Sequence, residues 1–203
     1  MPRQKQRTPE LRDRVLGVAV ETLTTDGIPG LTARRVAQEA QTSTPAVYEL
    51  FGDKAGLIRA IFFEGFRMLR RHLEQAVRSD DERTALLQTI AAFRTFVRDS
   101  PVLARVMFER PFADFDPGPE DIAAGASVRE FILDQVRRCV GARVLAGDPA
   151  DIAHVLIGLA QGLAAQEAAG WLGTSRASVS RRWSLGVEAV LDGLRPRGEH
   201  ARG

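Results

Sequence analysis

The sequence reads as helix throughout: no stretch alternates apolar with polar residues under β-branched enrichment, so none has the pattern of a strand. That one feature limits the 203-residue chain to all-α architectures, and no repeat of the solenoid kind is present. Cap and breaker residues divide it into elements. Thr8 as N-cap, Pro9 at the first helical position and Glu10 in the positive first turn open a first helix. Leu11, Val15, Val18, Ala19 and Thr22 form its apolar stripe, and Gly27-Ile28-Pro29-Gly30 ends it. Two short helices follow, from after Thr32 to about Ala40 and from Thr44 to Phe51, with Gly52-Asp53 capping the next. Longer helices are expected over 54–78, 81–98, 120–145, 149–171 and 175–194, and a shorter one from Ser100-Pro101 to Arg110-Pro111. Residues 114–119 read as a loop and 196–203 as a disordered tail.

Cys139 is the only cysteine, which excludes an intrachain disulfide and a thiolate metal cluster. No secretory leader or bilayer-spanning run is visible, so a cytoplasmic location and no membrane partner are expected. A net charge of +2 announces no nucleic-acid partner by itself, but Arg3, Lys5 and Arg7 precede the first acid and form a basic arm.

The two short helices have what a helix-turn-helix requires: small packing residues, a tight turn and a polar outer face on the second helix. Val36, Ala37 and Ala40 supply one packing face, and Val47 and Leu50 the other. Ser43 and Thr44 can cap the second helix, with Pro45 in its first turn. Ser43, Thr44, Pro45, Ala46 and Glu49 then point outward, where base edges would lie.

The runs Leu31-Thr32-Ala33-Arg34-Arg35-Val36-Ala37 and Tyr48-Glu49-Leu50-Phe51-Gly52-Asp53-Lys54 resemble the signature of the TetR family of bacterial regulators. The resemblance covers about Pro9 to Phe63. It implies an N-terminal three-helix DNA-binding domain (residues 1–54), followed by a helical effector-binding and dimerisation bundle (55–195). Arg34 would reach a base or phosphate; Ser43, Thr44, Pro45 and Ala46 would face the major groove; Thr32, Tyr48 and Lys54 would hold phosphates. Two departures stand out. Gln41 occupies the turn position that glycine normally fills, at a cost of about 1 kcal/mol in a left-handed conformation. Leu50 stands where many members carry histidine.

A second segment, residues 168–181, imitates the motif, with Gly173 as its turn, Ser175 as cap, Val179 as packing valine and arginines in the second helix. Its next packing position is Arg182, however, and the preceding helix is long and apolar. It reads as a glycine-turned loop between two long helices. Ile152, Val155, Leu156, Leu159 and Leu163 make one stripe there, Gly158 and Gly162 a smooth patch, and Trp183, Val187, Val190, Leu191 and Leu194 another stripe. By the resemblance, helices near 149–171 and 175–194 form the homodimer contact.

Phe62, Phe63, Phe66, Phe93, Phe96, Met107, Phe108, Phe112 and Phe115 concentrate in the intervening helices. The resemblance implies a small-molecule site there; Phe66, Phe93, Phe96, Phe108, Phe112 and Gln161 are its candidate lining, His154 being a further polar group. The effector would be largely apolar. His72, His154 and His200 lack metal-ligand spacing, and there is no nucleophile elbow or phosphate-cradling loop, so an enzyme, a cofactor and a bound metal are not expected. The resemblance thus implies a ligand-responsive regulator, by the family's common behaviour a repressor, that binds a palindromic DNA operator as a homodimer. The competing reading is a small-molecule-binding bundle with a vestigial DNA-binding head.

Overall fold

The computed structural model describes residues 8–109, 119 and 125–196. The basic arm, the 114–118 part of the expected loop, Phe112, Phe115, the start of the expected 120–145 helix and all but Pro196 of the tail lie outside them. Among the described residues the secondary structure is entirely helical: α1 (Pro9–Gly30), α2 (Ala33–Glu39), α3 (Thr44–Phe51), α4 (Lys54–Ala76), α5 (Glu82–Asp99), α6 (Pro101–Phe108), α7 (Ala126–Gly141), α8 (Pro149–Ala168) and α9 (Arg176–Gly193).

The helix starts follow local chemistry. Thr8, Thr32, Ser43, Asp148 and Ser175 each accept a hydrogen bond from a backbone N–H in the first turn, satisfying donors that no helical carbonyl can reach. Gly27 leaves helical geometry at φ 70° and ψ −170°, and residues 28–30 add one further turn beyond this kink. That turn is a refinement of the expected stop at Gly27.

Two compact units emerge. The first contains the described residues of 1–68 and 100–125; the second contains those of 69–99 and 126–203. Helix α4 contributes to both. In the first unit α1 packs on α2 and α6, α2 packs on α3, and Val15, Leu16, Ala19, Val20 and Leu23 of α1 are buried. The α1 core stripe is therefore wider than the one read from spacing, because Leu16, Val20 and Leu23 join it.

In the second unit α5, α7, α8 and α9 pack together. Ile152, Leu156, Ala160 and Ala164 of α8 and Trp183, Val187 and Leu191 of α9 are buried. Leu159 and Leu163 face Gly186 across the α8–α9 contact, where a Cβ would meet them at an ordinary 3.5–3.6 Å. Val155, on the stripe read from spacing, is 53 % exposed, while the buried set runs along the other shoulder of the helix. Arg94 of α5 anchors the bundle: its guanidinium grips both oxygens of Glu167 at 2.8 and 2.9 Å, and Trp183 Nε1 donates to the same carboxylate at 2.6 Å. The Arg94 hydrogen bonds hold the Glu167 carboxyl below its ordinary pKa. Among the described residues no helix is long and apolar enough to cross a membrane.

Candidate nucleic-acid interface

Helices α2 and α3 are short, and packing decides which of their faces remain outside. Val36, Ala37 and Ala40 are buried on the first, and Val47 and Phe51 on the second. Phe51, four residues from Val47 on the same helix face, takes the inner position expected of Leu50, which is half-buried. The guanidinium of Arg12 lies over the Phe51 ring, 5.1 Å from its centroid.

The turn between the helices is a Schellman motif. Thr42 N–H donates to Ala37 O at 2.9 Å and Gln41 N–H to Gln38 O at 3.2 Å, which satisfies carbonyls at the end of α2. The residue at its left-handed position is Gln41, with φ 52°. The strain anticipated for a side chain at this position is therefore present.

This turn sets the outer face. Arg34, Ser43, Pro45, Tyr48 and Lys54 are exposed, as is Thr32; Thr44 and Ala46 are half-buried. Tyr48 is 46 % exposed although it sits one residue from buried Val47, so its ring is not core. Thr32 Oγ1 accepts from Arg35 N–H at 3.3 Å and Ser43 Oγ accepts from Ala46 N–H at 3.2 Å. Each hydroxyl still has a proton to donate, the arrangement suited to a phosphate oxygen. Lys54 begins α4, where Asp53 Oδ1 accepts from Gly56 N–H at 2.8 Å.

The described candidate effector residues are divided between the two units. Phe66 stands edge-on to Phe62 at 5.0 Å and to Phe108 at 5.9 Å, a cluster within the first unit. Phe93 and Phe96 are buried in the second. Gln161 and His154 are exposed on α8, because the helix register turns both off the buried Ile152–Leu156–Ala160 stripe. A groove of about 260 Å³ instead lies between α5 and α9, lined by Arg94, Thr95, Ser180 and Trp183 among others. On each helix its residues recur at helical spacing, Leu87, Ile90, Ala91 and Arg94 on α5 and Ser180, Trp183, Ser184 and Val187 on α9, but nothing in the sequence pairs these two distant faces.

A model described as bacterial regulatory proteins of the tetR family matches residues 15–61, and one described as the tetracyclin repressor-like C-terminal domain matches residues 86–190. The chain belongs to the TetR family. Several solved structures have its fold over nearly the whole length. A protein with unknown function from Rhodococcus sp. RHA1 is 26 % identical, with a TM-score of 0.79 over 95 % of this chain and 100 % of that one. A bacterial regulatory protein in the TetR family from Rhodococcus RHA1 is 20 % identical, with a TM-score of 0.64 over 94 % of this chain and 100 % of that one. The TetR-family transcriptional regulator PfmR from Thermus thermophilus is 21 % identical, with a TM-score of 0.63 over 91 % and 100 %. A search of the curated proteins finds no relative. In this TetR-family chain the first match contains the whole of α2 and α3 with the Gln41 turn, and the second contains the whole of α7 and α8.

Proposed function

We propose that this TetR-family regulator is a repressor that binds a palindromic operator as a homodimer and is released by a small, largely apolar effector. The observation that carries the DNA-binding half is the exposure of Tyr48 beside buried Val47 and Phe51, which leaves α3 one packed and one free face. On the free face Ser43, Thr44, Pro45 and Ala46 read the major groove, Arg34 reaches a base or phosphate, and Thr32, Tyr48 and Lys54 hold phosphates. Two such heads in a dimer would sit roughly 34–36 Å apart, one turn of the duplex. An effector that favours another spacing would lower DNA affinity by that differential binding.

The dimer reading draws on the exposed apolar surface of the last two helices. Val155 is 53 % and Leu185 71 % exposed, and a Cβ added at Gly158 or Gly162 would meet nothing. A second copy of the chain would cover such a patch. For the effector, Phe66 and Phe108 are aromatic and only half-buried, which suits an apolar ligand.

Selection of bound duplexes from a random pool tests the operator: a two-fold symmetric consensus is expected, and no enrichment would contradict the reading. On the selected duplex, an Arg34→Ala, Tyr48→Ala double variant should lose most of the affinity.

A further inference from the structure

Arg34 and Arg35 are adjacent on α2, and both are exposed cations on a helix that DNA would approach. Their surroundings separate them. Arg35 Nε donates to Glu39 Oε1 at 2.8 Å, and its Nη2 lies 2.7 Å from Asp26 Oδ2 near the end of α1. Glu39 is tied in turn to α1: Thr22 Oγ1, on a residue almost fully buried, lies 3.1 Å from Glu39 Oε2 and 2.8 Å from Val18 O, sharing one proton between them. Thr25 Oγ1 lies 3.0 Å from Asp26 Oδ2 and 3.0 Å from Glu21 O, its one proton shared between them. The kinked end of α1 then folds back so closely that a Cβ on Gly30 would lie 2.4 Å from Asp26 Cβ. Arg34 makes no ion pair among the described residues.

We infer that Arg35 is a positioning residue and not a DNA contact: with Glu39, Asp26 and Thr22 it clamps α2 to α1 and neutralises two carboxylates on the reading head. A guanidinium engaged by two carboxylates has few donors left for a phosphate. Its removal would leave Asp26 and Glu39 as uncompensated negative charge close to the DNA-facing helices, and would free α2 to shift against α1. This inference rests on the proposed DNA-binding function, and the experiment separates the two.

The full chain is titrated with a labelled mixed-sequence duplex of about 30 base pairs across a salt series, with the melting temperature of each variant measured alongside. Arg34→Gln should reduce the salt slope by about 0.9 for each subunit engaged. Arg35→Gln should weaken binding about three- to tenfold with the slope unchanged, and adding Glu39→Gln should restore most of the loss. Gly30→Ala, which alters no charge, should also weaken binding at constant slope by pushing Asp26 away. The inference is overturned if Arg35→Gln flattens the slope as Arg34→Gln does, or if Arg35→Gln and Glu39→Gln act additively. Should the wild-type chain bind no duplex, the proposed function fails. The clamp is then decided by the same cycle in thermal unfolding, where coupling supports it and additivity overturns it.

Discussion

Residues 32–51 and 166–183 look like the same device, and their early geometry is nearly interchangeable. In each, a helix ends in a Schellman turn: Thr42 N–H to Ala37 O in one, Trp171 N–H to Gln166 O in the other, both at 2.9 Å. In each, a serine then caps the next helix at 3.2 Å, Ser43 onto Ala46 N–H and Ser175 onto Ser178 N–H. The left-handed position is Gln41 in the first and Gly170 in the second. The turn glycine read from the second sequence, Gly173, serves close packing instead, since a Cβ there would lie 2.5 Å from Ser178 Oγ and from Arg182 Nη1.

What differs is the length of helix on either side. The first turn joins helices of 7 and 8 residues, too short to bury more than one packing face each. The second joins helices of 20 and 18 residues whose further turns carry Leu156, Ala160, Trp183 and Leu191 into a core. Arg182 also folds back, donating to Leu172 O within its own loop. Caps and turns therefore specify a corner; the surplus helix beyond it decides whether a face stays free for a groove.

Exchanging the functional charges should break the resemblance most sharply. Arg34→Ala with Tyr48→Ala should cost on the order of a hundredfold in operator affinity, as expected for two lost contacts of about 1–3 kcal/mol each. Arg176→Ala with Arg181→Ala should change it less than about threefold, because the proposed DNA-facing surface lies on α2 and α3. Gel-shift or anisotropy titration checks both.

The next effect belongs to the second corner alone. Glu167→Gln should lower unfolding stability by about 2 kcal/mol in a denaturant melt, since Arg94 and Trp183 lose a charged acceptor. The pH dependence has a definite sign. The folded Glu167 carboxyl lies below its ordinary value of 4.5, so its contribution is full above about that pH and is lost as pH falls through the folded value. The Gln variant should lack that part of the acid limb.

Reciprocal turn substitutions come next and test whether the two corners share one strain. Gly170→Ala should cost about 1 kcal/mol, since φ is 74° with open space around it. Gln41→Gly should yield a gain of about 0.5–1 kcal/mol for the mirror reason. A Gln41→Gly variant no more stable than the parent would mean that the side chain contributes something the turn geometry does not show.

The smallest effect is a reactivity. Cys139 is buried and donates to Glu82 O at 3.2 Å, and desolvation pushes its thiol up to about 11. Below about pH 9 a thiol reagent should modify it only as fast as the second unit opens, and addition of DNA should leave that rate unchanged.

Much of the head was legible because its signals are local. Thr32, Ser43 and Asp53 are caps whose partners lie within three residues, and Gln41 sits where a turn must reverse. The choice of Phe51 over Leu50 was not legible, since both lie at helical spacing from Val47 and tertiary packing selects between them. The bundle was harder for the same reason. Val155 and Leu156 are adjacent and equally apolar, yet only the second is buried, because α8 has apolar residues on more than one face. The Arg94–Glu167–Trp183 cluster joins residues 73 positions apart and carries no sequence spacing at all.

Hydrogen exchange of the full chain, with and without the selected duplex, tests the central claim most directly. The account predicts slowed exchange over residues 32–54, with the strongest protection in α3, and no direct protection over 170–183. Protection confined to 170–183, with α2 and α3 unchanged, would contradict it.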